Sequence, residues 1–170
     1  MVNGERPAAS HDNLDLIKAW RNACPEITLR STFIVGFPGE TERDFQRTLD
    51  LMRRVRFASA FSFKYSDRPG AKATSFTPKV PETIKSERLM ELQTLQDEIS
   101  LMQNKNLEGT VELVLVEGHA KKTPRKLTGR TSGNHVVNFI GSDDMIGRMI
   151  PIRFEKSFIH SISGTPCAAG

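Results

Sequence analysis

Residues 27–65 run strand, tight turn, amphipathic helix, strand, and that order is a βαβ unit, which demands a parallel pairing. Ile27, Leu29, Phe33, Ile34 and Val35 lead to Gly36, and the last three are apolar on both faces, as expected of a buried parallel strand. Gly36-Phe37-Pro38-Gly39-Glu40 is a turn. Thr41 suits an N-cap, and Glu42 and Asp44 favour the positive end of the helix that follows. Phe45, Leu49, Met52 and Val55 then repeat at helical spacing. Residues 58–65 read as the second strand, and Ser66-Asp67-Arg68-Pro69-Gly70 as its exit loop. So short a parallel sheet cannot close. This part is therefore expected to belong to a larger α/β sheet or barrel, or to borrow neighbours from another chain.

Residues 12–23 predict a helix with Leu14, Leu16, Ile17 and Trp20 on its apolar face, ended by Cys24-Pro25. Residues 78–81 read as a linker, and Pro81 opens a long helix to Asn106 with the stripe Ile84, Leu89, Leu92, Leu95, Ile99 and Met102. Near residue 107 the pattern changes. Short β-rich runs at 111–116, 127–130, 136–139, 149–154 and 158–163 alternate with Gly, Asn and Lys clusters. Five short strands suggest a small OB-like antiparallel barrel, because closure removes exposed edges.

No run of 18 apolar residues is present, and residues 1–10 have no signal-like apolar core, so the expected location is cytoplasmic, with no membrane partner. Cys24 and Cys167 stand alone, which argues against a disulfide framework and a self-contained metal or iron–sulfur site. His11, His119, His135 and His160 are dispersed, and Asp143-Asp144 gives weak support for acid/base chemistry.

Two surfaces remain. In α/β sheets ligands sit beyond the carboxyl ends of strands, where the 36–40 turn and the loop carrying Arg68 would lie side by side. An ordinary strand-to-helix turn uses the same Gly and Pro, so both readings stand. The second surface is the stretch 119–135, with Lys121, Lys122, Arg125, Lys126 and Arg130 and no acidic residue. The net charge of +4 is mild, but this concentration, with Asn134, His135 and Asn138 nearby, suits a nucleic-acid backbone better than a solvated loop. Only Phe139 is at hand for stacking, which favours phosphate and shape recognition.

Three motifs carry a resemblance. Residues 31–41 (STFIVGFPGET) with Asp44-Phe45 resemble a late strand and helix of the radical SAM methylthiotransferases. Residues 60–66 (AFSFKYS) with Arg68-Pro69-Gly70 resemble the next strand of their MiaB branch. Residues 127–131 (LTGRT) with 136–139 (VVNF) resemble the TRAM domain that closes that family. The resemblance implies residues 1–106 as the end of an incomplete, TIM-like radical SAM barrel with a connecting helix, 107–165 as a TRAM β-barrel, and 166–170 as a tail.

The family's activity is methylthiolation of an isopentenylated adenosine next to the tRNA anticodon, with S-adenosylmethionine and two [4Fe–4S] clusters. By resemblance, Thr32, Ile34, Gly36, Ser62, Phe63 and Arg68 fall on the S-adenosylmethionine and substrate side. Lys121, Lys122, Arg125, Lys126, Arg130 and Asn134 fall on the tRNA-binding side. The family's cluster-binding Cys-x3-Cys-x2-Cys loop is absent, so the resemblance implies the C-terminal portion of the enzyme. Such a portion would be inactive without its N-terminal partner, unable to hold a cluster, and would still bind tRNA. The other readings are a non-catalytic RNA-binding module, or a methylthiotransferase acting on a ribosomal protein or on threonylcarbamoyladenosine tRNA.

Overall fold

The computed structural model describes residues 11–121 and 123–167, with side chains from residue 14 onward. The first part is α1 (His11–Ala23), β1 (Arg30–Val35), α2 (Glu42–Val55), β2 (Ser59–Lys64), a short 3-10 turn (Lys72–Ser75) and the long α3 (Glu82–Asn106). β1 and β2 pair in parallel, with Thr32 beside Phe61, Phe33 beside Ser62 and Ile34 beside Phe63. The expected βαβ unit is therefore present.

α2 begins where its signals place it. The Thr41 hydroxyl accepts the Asp44 N–H at 3.2 Å, and the Asp44 carboxylate accepts the Thr41 N–H at 3.1 Å, a reciprocal capping box. It ends at Arg56, whose left-handed conformation (φ 53°) turns its N–H back to the Met52 carbonyl. The stripe Phe45, Leu49, Met52 and Val55 is fully buried and forms one core with Val35, Phe57, Leu92 and Ile99.

Several expectations need correction. On α1 only Leu14 and Ile17 pack on this core, whereas Leu16 and Trp20 are exposed. β1 is not covered on both faces: Phe33 and Val35 face the helices, and Ile34 is 56% exposed. Among the described residues no layer lies over that side. Met102 is also exposed, and the buried line along α3 runs Arg88, Leu92, Gln96 and Ile99. Sequence hydropathy sees only the apolar members of such a line.

The second part is β3 (Val111–Ala120), β4 (Thr123–Arg130), β5 (Val136–Phe139), β6 (Met149–Ser157) and β7 (Ile162–Pro166). These close into a barrel in the order β3-β4-β5-β7-β6. The pairings are antiparallel except β5 with β7, which is parallel, so the barrel is mixed rather than wholly antiparallel. Val114, Val116, Leu127, Val137, Phe139, Ile152, Phe154 and Ile162 fill it. The strand expected at 158–163 is displaced. β6 runs on to Ser157, and the chain then turns, with the Phe158 N–H donating to the Ser161 carbonyl at 2.8 Å.

One buried side chain ties the barrel to α3. The Asn104 amide nitrogen donates to the carbonyls of Phe158 (2.8 Å) and Ile159 (3.3 Å), which leaves its oxygen to accept from His135 Nδ1 at 3.0 Å. The turn before His135 also abuts the α/β part: a methyl group on Gly133 would lie 3.2 Å from the Thr28 hydroxyl. Burial holds the His135 imidazole below its usual range, partly opposed by Glu112. The unfolded chain thus takes up this proton at higher pH than the folded one. Stability at this joint should fall as pH drops below about 6.5. Melting temperatures at pH 7.5 and 5.5 should differ more for the native chain than for His135→Gln.

Candidate functional site

At the carboxyl ends of β1 and β2 the 36–40 turn is organised by Glu40. Its Oε2 accepts the Gly36 N–H and an Arg88 Nη1–H, both at 2.7 Å. Arg88 reaches Glu42 at 3.1 Å through Nη2 and lies over the Phe45 ring. Gly36 has φ +75° and sits beneath the Lys85 stem, where a Cβ would collide with Lys85 Cγ. Its glycine is thus explained by packing as well as by conformation. Lys85 Nζ donates to the Tyr65 carbonyl at 3.1 Å, and the Tyr65 N–H donates to the Val35 carbonyl at 2.8 Å. The two exit segments do lie side by side, as expected.

Phe37 packs edge-on against Tyr65 and Phe76 in the same corner. The Tyr65 hydroxyl donates to Asp67 at 3.0 Å, and Lys79 donates to the same carboxylate oxygen. The Lys79 hydrogen bond holds the Asp67 carboxyl below its usual range, and desolvation together with Asp67 raises the Tyr65 hydroxyl. The exposed Arg68 guanidinium makes no hydrogen bond or ion pair to the described residues, while its carbonyl accepts from Ala71 and Thr74.

The register divides the remaining candidates. Thr32, Ile34, Phe61 and Phe63 share the uncovered face of the sheet, and Ile34, Phe61 and Phe63 are each more than half exposed. Ser62 points the other way, toward α3, and accepts from the Gln93 amide at 3.2 Å. Thr32, Ile34 and Phe63 are therefore brought together, Gly36 and Arg68 lie at the sheet end, and Ser62 is separated from them.

On the barrel, the basic stretch is a hairpin and not a loop, because β3 runs to Ala120 and β4 starts at Thr123. Lys121 and Arg125 are exposed near its tip, and Lys126 and Arg130 are half-buried. Lys122 lies outside the described residues. Arg130 is engaged by Glu117 (3.3 Å) and by the Asn134 side-chain oxygen (2.9 Å), with Asn134 in the left-handed conformation at φ 64°. His119 approaches Asp143 at 3.3 Å. The stretch 119–135 is acid-free in sequence, yet two acidic groups from outside it reach it: Glu117 on the same hairpin's β3, and Asp143 from the turn before β6. Lys121 and Arg125 remain without side-chain partners among the described residues.

No family model matches the chain. It is 46% identical over 153 residues to a tRNA-2-methylthio-N(6)-dimethylallyladenosine synthase from Syntrophus aciditrophicus, a match covering 90% of this chain and 33% of that protein. Synthases of the same name from Syntrophobacter fumaroxidans and Carboxydothermus hydrogenoformans are 45% and 43% identical over 151 residues each, 89% of this chain and 33% and 34% of theirs. Over nine-tenths of its own length the chain is similar to these synthases. It spans about a third of the length of these curated relatives and corresponds to their C-terminal third.

The cysteines do not fit an iron–sulfur cluster. Cys24 is exposed after α1 and Cys167 is half-buried beyond β7, and among the described residues no three His, Cys, Asp or Glu side chains converge. The uncovered sheet face fits an adenosyl group better: it offers two phenylalanines, an isoleucine and a threonine hydroxyl. No described helix is long and apolar enough to cross a membrane.

Proposed function

We propose that this chain is the C-terminal portion of a radical SAM methylthiotransferase that modifies dimethylallyladenosine in tRNA, working in the cytoplasm with the N-terminal portion of the enzyme. The identity to synthases of that name over nine-tenths of the chain carries this reading. It favours this substrate over a ribosomal protein or threonylcarbamoyladenosine. S-adenosylmethionine, when bound, would supply the adenosyl radical and the methyl group. Thr32, Ile34 and Phe63 would form one wall of its site, with the Gly36 turn and Arg68 at its end. Glu40 and Arg88 would hold that turn in shape. The [4Fe–4S] clusters belong to the portion that carries their cysteines, so this chain alone is expected to be inactive.

The barrel is the RNA-gripping part in this reading. Its strand order and its parallel closing pair suit an OB-like fold of the TRAM type. Lys121, Lys122, Arg125 and Lys126 would meet tRNA phosphates, and Asn134 would hold Arg130 at the edge of that surface. The test is binding of a tRNA anticodon stem–loop across a salt series. Binding should weaken steeply with salt. The triple change Lys121→Ala, Lys122→Ala and Arg125→Ala should weaken it several-fold or more and lower the log–log salt slope by about 2. Binding indifferent to both salt and the triple change would refute the reading.

A further inference from the structure

The outer surface of the barrel has two unlike sides. Across β3 and β6 it is apolar: Leu113 stands opposite Pro151 and Leu115 opposite Met149, and Leu113, Leu115 and Met149 are exposed. Across the other strands it is polar, and the register gives the order. Thr128 on β4 stands opposite Asn138 on β5, Asn138 opposite Ser163 on β7, and Ser163 opposite Lys156 on β6. Leu127, Phe139, Gly164 and Ser157, each next in chain to one of these, are buried, so the four polar side chains form one outward row. Three inter-strand steps make it about 14 Å long. Lys126, the next outward position on β4, joins the row to the basic hairpin. The Thr128 and Asn138 side chains have no hydrogen-bond partner among the described residues.

At the far end of the row, the turn between β6 and β7 carries Phe158. Phe139, the ring that the sequence offers for stacking, is inside the barrel with Phe154. Phe158 is 47% exposed, and among the described residues it is the barrel's one exposed aromatic ring. Its backbone is fixed on both sides: its N–H donates to the Ser161 carbonyl and its carbonyl accepts from the Asn104 amide, each at 2.8 Å. Lys156 Nζ stands over the ring, 5.6 Å from its centre. Ile159 and His160 complete the exposed turn. A lone exposed ring is ordinary on a protein surface. This one stands on a pinned turn, under a cation, at the end of a row of unengaged polar groups. Two carboxylates reach this side: Glu117 meets Arg130, and Glu155 accepts from the Thr165 hydroxyl at 2.8 Å. Positive charge is therefore concentrated at the hairpin. At the turn a contact that does not depend on charge has the larger part.

We propose that Phe158 is a stacking platform for an unpaired base of the bound RNA, whose backbone runs from the basic hairpin along the Thr128–Asn138–Ser163–Lys156 row. The proposal rests on the RNA-binding reading above and gives that surface a second end. The base must be unpaired, since only then is its π-face open to a side chain. Lys156 meets the phosphate beside that base, and Thr128 and Asn138 meet the sugar–phosphate backbone between the two ends. Stacking on one ring accepts any base, so this end adds affinity for unpaired RNA and reads no sequence.

The test is fluorescence anisotropy of the 170-residue chain with two RNA dodecamers of equal charge, oligoadenylate and an abasic backbone. Oligoadenylate should bind about tenfold more tightly, the scale of one stacked base. Phe158→Ala should reduce that preference to about twofold or less, with the affinity for the abasic backbone and its salt slope unchanged. Phe158→Trp should keep the preference, which a merely structural role for the ring does not require. Lys156→Ala should weaken both RNAs alike and lower the log–log salt slope by about 1. Equal binding of the two RNAs, a preference that survives Phe158→Ala, or an equal loss for both RNAs in that variant overturns the stacking platform and leaves the basic hairpin in place. An unchanged salt slope in Lys156→Ala overturns the path along the row. Salt-independent or absent binding of both RNAs overturns the RNA reading itself, and the platform with it.

Discussion

Glu40→Ala should destabilise the α/β part by about 3 kcal/mol, the low end of the cost of breaking a buried ion pair. The Arg88 side chain is 8% exposed and that of Glu40 12%, so neither charge is well solvated. Arg88 would keep Glu42, whose side chain is 67% exposed, and this partner moderates the loss. The Gly36 N–H would also lose its acceptor, and the 36–40 turn would no longer be drawn onto α3. Glu40→Gln keeps an acceptor for both donors and removes only the charge, so it should cost less than half as much. Arg88→Met combined with Glu40→Gln should cost less than the sum of the two single changes, because the couple is removed as a unit. Urea unfolding followed by Trp20 fluorescence measures all three. A Glu40→Ala chain as stable as the native one would mean that the turn is held by its backbone alone. The functional consequence follows from position, since this turn stands at the sheet end where the cofactor site is proposed.

What could be read beforehand divides along the same line of local against assembled signals. Thr41, Asp44 and the stripe from Phe45 to Val55 announce α2 because capping and periodicity are local, and every one of those residues sits as expected. Four of the five β-runs were legible from their spacing; the fifth, expected at 158–163, lies at 162–166, and the parallel β5–β7 pair was not legible, because strand order is decided by closure. Ile34 reads as core from its hydropathy and is exposed, because burial depends on a layer that the sequence does not announce. Arg130 reads as free within the acid-free stretch, but its partner Glu117 stands across the hairpin on β3. The Thr32–Ile34–Phe63 wall could be read as a motif, while the separation of Ser62 from it follows from register alone. The polar members of the buried line on α3 had one usable signal. Arg88 and Gln96 interrupt an apolar line at positions four residues either side of the buried Leu92. Arg88 meets Glu40 and Glu42 across the turn, and Gln96 donates to the Phe57 carbonyl and to Ser100, contacts that the helix sequence does not announce. His160 had no signal at all, because its placement depends on the hold of Asn104 some fifty residues earlier.

Adding a methyl group at each of two barrel glycines should abolish the barrel. A Cβ on Gly129 would fall inside contact distance of the Leu115 carbonyl oxygen and 2.6 Å from Val114 Cγ1; one on Gly164 would do the same to the Arg153 carbonyl oxygen and lie 2.7 Å from Ile152 Cγ2. In both places the obstacle is the backbone of the paired strand, which cannot rotate away as a side chain can. Neither glycine has a positive φ, so the cost is purely steric. Overpacking of this kind costs about 1–3 kcal/mol or more per site. A barrel of some 55 residues has only a few kcal/mol to lose. Gly129→Ala and Gly164→Ala together should therefore remove its cooperative transition. RNA binding should go with it, while the Trp20 signal of the α/β part persists. Gly141→Ala is the control: its nearest obstacle is the Met145 sulfur at 2.9 Å, the end of a flexible side chain, so its barrel should survive. Calorimetry of the three chains distinguishes these outcomes. A double-alanine barrel that still melts cooperatively would show that β3–β4 and β6–β7 can part without opening it, and that closure does not rest on these two close approaches.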